Sequence, residues 1–313
     1  MVFLRKPRSR IPLLHWIVAS LLVTCAYAAE PVRVVSLSAP LTEMVYALDA
    51  GRHLVGVSDV SVFPEQVMLD RRSGKVHELG SFSRPDLAAL DALHPNLILT
   101  STGFQRGLAA QLKSKGYKVL HFEPTRLADI FKEIEEVGHA LGKGKRAVRL
   151  TTNLRRELAE IQRRSSTLPR VRVYLEVNHE GPWTVGSKSP LNDLIDAAGG
   201  ENIFADHDSG VFIASHTEVI RRNPDVILSP VWLNAKVGGI DGIIPLAQIF
   251  LRPGYSETSA VRNSRVLYYD SALFKHEGPR QILAIRKLAF LLHPEVFAAP
   301  HGTIPWELGR IRP

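Results

Sequence analysis

Residues 145–164 read KRAVRLTTNLRRELAEIQRR, and within them Ala147, Leu150, Leu154, Leu158 and Ile161 recur at steps of three and four, with basic and acidic groups between. That period marks one amphipathic helix with a single buried stripe. At 1.5 Å per residue, about 20 residues make a rod of roughly 30 Å, the width of a small domain. On both sides of the rod, short runs rich in β-branched residues alternate with helical patterns. Strands are expected near residues 32–37, 54–57, 97–100 and 118–122, and again near 171–177, 226–229 and 265–269. Such alternation builds parallel βαβ units.

The two sides echo each other. Pro40-Leu41-Thr42-Glu43-Met44-Val45-Tyr46-Ala47 resembles Pro190-Leu191-Asn192-Asp193-Leu194-Ile195-Asp196-Ala197, each after a serine-containing turn. Proline there signals a helix start, with the carboxylate of Glu43 or Asp193 expected in the first turn. Further on, His94-Pro95-Asn96-Leu97-Ile98-Leu99-Thr100 is matched by Asn223-Pro224-Asp225-Val226-Ile227-Leu228-Ser229, a helix stop followed by a buried strand. The fold class is thus expected to be α/β: two Rossmann-like lobes with central, mainly parallel sheets, bridged by one long α-helix, with a ligand cleft between the lobes. The expected divisions are an N-terminal lobe over 30–142, the connecting helix over 143–166, a C-terminal lobe over 167–300 and a tail over 301–313. One helical crossing predicts a stiff connection and little closure.

Residues 1–28 differ in kind. Arg5, Lys6, Arg8 and Arg10 precede an apolar run from 13 to 23, and Ala26-Tyr27-Ala28 offers the small-x-small pattern of a cleavage site. This reads as a secretory signal peptide, since the run is about half the roughly 20 residues a membrane-crossing helix needs. A periplasmic location is expected. Cys25, the one cysteine, follows Leu22-Val23 as a lipoprotein acceptor does, but Thr24 is bulky for that role, and lipidation is the lesser expectation. Loss of the segment removes four basic and no acidic side chains, taking the formal net charge from +8 to +4. Basic residues are scattered or in helical pairs such as Arg155-Arg156, without interleaved aromatics, which argues against nucleic acid as a partner.

Val34-Val35-Ser36-Leu37-Ser38 with Leu41-Thr42-Glu43, Leu54-Val55-Gly56-Val57-Ser58, and Ala92-Leu93-His94-Pro95-Asn96-Leu97 resemble the N-lobe of the helical-backbone (class III) substrate-binding proteins of ABC transporters. Thr184-Val185-Gly186-Ser187, Ala198-Gly199-Gly200-Glu201-Asn202-Ile203-Phe204, the stretch from Asn223 to Leu228, and Gly278-Pro279-Arg280 resemble its C-lobe. The similarity spans residues 32–297 and is nearest to the cobalamin-binding branch. It implies a monomeric protein that captures a metal chelate, a corrinoid first, then a ferric siderophore or haem, and delivers it to a membrane permease. The chelate is cargo; no resident cofactor or bound metal is implied. An alternative is a periplasmic sensor that uses the same cleft without transport.

By position the resemblance places Phe63, Phe82 and Trp183 on the cleft walls, where broad aromatic faces hold a flat ligand at low entropic cost. Phe212 and Trp232 stand in C-lobe loops that could face the same opening. The competing reading is that these are ordinary core or surface aromatics. His276 lies in a loop that borders the ligand in the family, and Arg280 either reaches an anionic ligand group or caps its own helix region. Three further C-lobe histidines, His179, His207 and His216, match no compact metal motif. In the family one glutamate per lobe docks on permease arginines. Ala88 and Thr217 occupy those positions here, with Asp86, Asp91 and Glu218 nearby as substitutes, Asp86 and Glu218 first. No HExxH, GxSxG or Walker pattern is present, and Gly142-Lys143-Gly144-Lys145 reads as a basic turn, so an enzyme is not expected.

Overall fold

The computed structural model describes residues 32–178, 182–234, 239–241 and 246–300; the expected signal segment with Cys25, His179 and the 301–313 tail lie outside the described residues. The first half opens with β1 (Val34–Ser36), α1 (Ala39–Ala47), β2 (Leu54–Val57), α2 (Glu65–Arg72) and β3 (His77–Glu78). A short antiparallel pair, β4 (Gly80–Ser81) and β5 (Arg84–Pro85), precedes α3 (Leu87–Ala92), β6 (Leu97–Ser101), α4 (Arg106–Ser114), β7 (Val119–Phe122) and α5 (Leu127–Ala140). Its sheet has the order β3-β2-β1-β6-β7 with every neighbour parallel. β1 and β6 are buried along their whole length, which is why they read as continuous apolar runs.

The rod is α6 (Gly144–Ser165), 22 residues long. After it come β8 (Val171–Leu175), β9 (Trp183–Val185), α7 (Pro190–Ala197), β10 (Gly200–Asn202), β11 (Val211–Ile213), α8 (His216–Arg222) and β12 (Val226–Asn234). The half closes with β13 (Gly239–Asp241), α9 (Leu246–Phe250), α10 (Ser259–Arg262), β14 (Val266–Asp270), α11 (Ser271–Phe274) and α12 (Gln281–Leu292). Here β10-β8-β12-β14 run parallel, β13 returns antiparallel on the far end of β12, and β9 pairs antiparallel with β11.

The internal echo is a structural repeat. β1 lies between β2 and β6 as β8 lies between β10 and β12. Ser38 and Ser189 occupy the N-cap positions of α1 and α7, each with proline in the first helical positions. His94 and Asn223 both take φ 45°, the left-handed turn that ends a helix, and each precedes a proline that cannot continue one. One detail differs from the sequence reading. α1 begins at Ala39, so Glu43 falls beyond the first turn, and its carboxylate is not a partner of the helix N-terminus.

α6 buries Ala147 and Ile161 and packs Leu150, Leu154 and Leu158 against the core. It lies on α5 of the first half and α12 of the second. A Cβ on Gly138 of α5 would stand 2.4 Å from the Ala147 Cβ, so glycine permits that close approach. The rod is not the only connection. Apolar residues from both sheets and from α1, α5, α7 and α12 form one continuous core beneath the cleft. Asp193 of α7 also crosses to the first half, accepting from Arg126 Nε at 2.9 Å and from the Leu127 amide at 2.8 Å. Among the described residues, no helix is long and apolar enough to cross a membrane.

Candidate functional site

A cavity of about 600 Å³ opens between the halves, beyond the C-terminal ends of β1, β6 and β14. Its volume is in the roughly 300–1,000 Å³ range of small-ligand sites, and strand C-termini are where open α/β sheets place them. The first half contributes Pro40, Val60, Phe63, Phe82 and the edge of β6 from Ser101; the second contributes Asp270, Ser271 and the loop from Lys275 to Arg280. A second hollow, about 760 Å³, lies between α6 and α12 and borders no strand end.

A cluster of hydroxyl groups lies under the first-half side, and two of them, on Ser38 and Ser101, line the cavity. Thr42 Oγ1 donates to Ser36 Oγ at 2.8 Å, Ser38 and Ser101 share a bond of 2.8 Å, and Ser61 joins Thr42 at 3.0 Å and Ser58 at 3.3 Å. All six are buried, so their mutual bonds satisfy groups that would otherwise be costly to enclose. Gln105, fully buried at the start of α4, holds three segments together. Its side chain accepts from the Ser101 amide at 2.7 Å and donates to the Leu37 carbonyl at 2.8 Å and the Phe82 carbonyl at 2.6 Å. Phe82 is thereby fixed at the opening.

The opposite wall is charged and tied across the gap. Arg280 Nε donates to Glu43 Oε2 at 2.6 Å and the Arg280 amide to Glu43 Oε1 at 3.1 Å, and the guanidinium lies 3.7 Å from the Phe63 ring centre. Burial pushes the Glu43 carboxyl above its usual range, and Arg280 pulls it partly back. His276 hydrogen-bonds the Ala39 backbone, and burial, with Arg280 adding, lowers it to about 4, so its ring is neutral at pH 7. Its Nε2 stands 3.5 Å from Glu43 Oε2 without a hydrogen bond. Lys275 donates to the Val177 carbonyl, and burial lowers its ammonium to about 8. Burial raises Glu277 to about 7, and burial together with Glu277 raises Glu133 of α5 to about 8.

Of the residues expected at the site, Phe63, Phe82, His276 and Arg280 line the cavity. Phe63 is 40 % exposed with one face covered by the Arg280 guanidinium, and Phe82 is half-buried. Arg280 makes no side-chain cap bond at α12; it lines the cavity, and its Nε is bonded to Glu43. Trp183 and Phe212 do not line the cavity. Trp183 pairs with Ile213 across the β9–β11 ladder, and Phe212 is stacked on His207 at 3.7 Å and edge-on to Phe204. Trp232 lies in β12 opposite Asp241, and its side chain is outside the described residues. Asp86 is engaged as the N-cap of α3, accepting from the Ala88 and Ala89 amides at 2.9 and 3.0 Å. Glu218 is held at about 2 by Arg221 and Arg222. His216 bonds Tyr255 at 2.9 Å. No group of three or more His, Cys, Asp or Glu side chains among the described residues could hold a metal ion. Glu43, Thr102, Gln105, Lys275 and Glu277 were not singled out from sequence. Glu43 carried a signal, a carboxylate inside an otherwise apolar helix.

Comparison with known proteins agrees with this architecture. Residues 34–273 match the Periplasmic binding protein family. The chain belongs to that family. Among curated relatives, the periplasmic binding protein is similar to the uncharacterized ABC transporter substrate-binding lipoprotein YvrC of Bacillus subtilis, 28 % identical over 276 residues covering 86 % of this chain and 82 % of the relative. It is also similar to the vitamin B12-binding protein of Yersinia pseudotuberculosis, 30 % identical over 224 residues, 71 % of this chain and 75 % of that one. Among solved structures, the periplasmic haem-binding protein RhuT of Roseiflexus sp. RS-1 in apo form superposes with a TM-score of 0.70 at 24 % identity, covering 85 % of this chain and 99 % of that one. At that identity the match speaks for the fold. The relatives are binding proteins, and the cleft of this member lies where a captured small molecule would be enclosed by both halves.

Proposed function

We propose that this periplasmic binding protein captures a metal-chelate nutrient, a corrinoid first, in the cleft between its halves and delivers it to an ABC permease at the cytoplasmic membrane. The observation that carries the reading is the cleft itself, an opening at the strand ends of two parallel sheets with Phe63 and Phe82 presented on one wall. Flat, polarizable rings are held by such faces, while hydroxyls and charged groups on the other sides orient the polar rim. The likeness to a vitamin B12-binding protein supports the corrinoid, and the substrate-binding relative supports the permease as partner. Export by the N-terminal signal belongs to the same proposal. Docking on the permease is proposed to involve Asp86, the N-cap of α3, and Glu218, which is paired with Arg221 and Arg222.

Titration of the purified protein with cyanocobalamin, haemin and a ferric catecholate, followed by visible difference spectra, tests the reading. Saturable binding of cyanocobalamin at micromolar concentration or below is expected, with Phe82→Ala weakening it about tenfold through lost stacking area. A wild-type protein that binds none of the three rejects the ligand class.

A further inference from the structure

Thr102 breaks two rules of a folded chain at once. Its backbone sits at φ 71° and ψ 153°, a region glycine enters freely and a β-branched residue avoids. Its hydroxyl oxygen is enclosed and has no hydrogen-bond partner, although buried polar atoms are nearly always paired. The surroundings impose this geometry. The Thr102 amide donates to the Phe122 carbonyl of β7 at 2.8 Å, and the Thr102 carbonyl accepts from the Gln105 amide at 3.1 Å. Gln105 is itself fixed to Ser101, Leu37 and Phe82. Glycine stands one position later, at 103, where φ is not positive. The strained position therefore carries a side chain that a relaxed loop would do without. Strain fixed from several directions gathers at binding sites. Thr102 lines the cleft, and two further unpaired buried polar atoms, Ser271 Oγ and His276 Nε2, belong to residues of the facing wall.

We propose that the Thr102 hydroxyl is a ligand-binding group: rotation about its Cα–Cβ bond turns it into the cleft, where it donates to a carbonyl oxygen on the rim of the bound ligand. The assignment rests on the capture function proposed above and narrows it. The ligand is one whose apolar face meets Phe82 while its edge carries carboxamide or carboxylate groups, acceptors that a hydroxyl donor satisfies.

The test titrates wild type, Thr102→Val, Thr102→Ser and Thr102→Gly with cyanocobalamin and with haemin, and records thermal melts of each. Thr102→Val keeps size and branching and deletes only the hydroxyl. It is expected to bind whichever probe the wild type binds about tenfold more weakly, at an unchanged or higher melting temperature, while Thr102→Ser retains most of the affinity. Thr102→Gly is expected to melt several degrees higher and to bind as weakly as Thr102→Val. Wild-type affinity in Thr102→Val overturns the assignment, and if that variant does not fold, wild-type affinity in Thr102→Gly does the same. A wild type that binds neither probe overturns this assignment, and one that also fails to bind a ferric catecholate overturns the capture function on which it rests.

Discussion

Arg280 and Glu43 show why a residue's chemistry cannot be assigned from its neighbours in sequence. Glu43 is nearly inaccessible, and among the described residues its cationic partner is Arg280, more than two hundred positions away. Replacing Arg280 by Met leaves that carboxylate enclosed without its cation, a change expected to cost about 2–4 kcal/mol in urea unfolding at pH 7.5. The penalty should shrink as pH falls, because protonation of Glu43 removes the orphan charge. The double variant Glu43→Gln, Arg280→Met should recover part of the loss. A single variant as stable as wild type would mean the tie is incidental. Phe63 and Phe82 were legible through the resemblance, which matched them by position to cleft aromatics, and both line the cavity. Thr102 and Gln105 stayed hidden, since Ser-Thr-Gly-Phe-Gln reads as any strand-to-helix turn until its φ angles and amide partners are known.

Most elements were legible because their burial is one-sided or complete. α6 announces itself by five apolar positions on one stripe, and β1, β2 and β6 by apolar runs too short for helices. The β9–β11 ladder was not, because three-residue strands among glycine, proline and serine carry no period, and their pairing is decided by a partner nearly thirty residues on. Trp183 and Phe212 were read as loop aromatics for that reason. Between α5 and α6 the spacing is set by the absence of a side chain at 138. Gly138→Ala would thrust a methyl group into Ala147, and the helices must part or the side chains distort. Overpacking of this kind costs about 1–3 kcal/mol, against which alanine's better helix propensity returns up to about 1 kcal/mol. A net loss of about 1–2 kcal/mol in thermal unfolding is expected, relieved by the compensating Ala147→Gly. A melting temperature at or above that of wild type would sink the packing argument.

At the scale of the molecule, the repeat predicted two lobes and a rod, and both are present; the shared core and the Arg126–Asp193 and Glu43–Arg280 ties were invisible because each joins distant segments. The ties reinforce the expectation of small closure. Carboxyls held in enclosed positions, Glu133 and Glu277 above all, make the assembly sensitive to pH. Glu133 and Glu277 are raised to about 8 and about 7, so both are protonated in the folded state where an unfolded chain would ionise them. Their contribution is complete below about pH 4.5 and is lost as pH rises through 7 and 8. His276 acts in the opposite direction, its neutral buried form disfavouring the fold as pH falls from about 6.5 toward 4. Melting temperature should therefore decline between pH 6 and 8. Glu133→Gln should flatten that decline and be more stable than wild type by about 1–2 kcal/mol at pH 8, and an unchanged slope would refute the assignment. The serine and threonine cluster has a consequence of another sort. Ser38 and Ser101, the two hydroxyls that reach the cavity, share a bond in which either oxygen can be the donor, so turning one reverses the other and that edge has no permanent polarity. A guest rich in donors and a guest rich in acceptors can both be met by the same backbone, and a shift of cargo over generations need change only the walls.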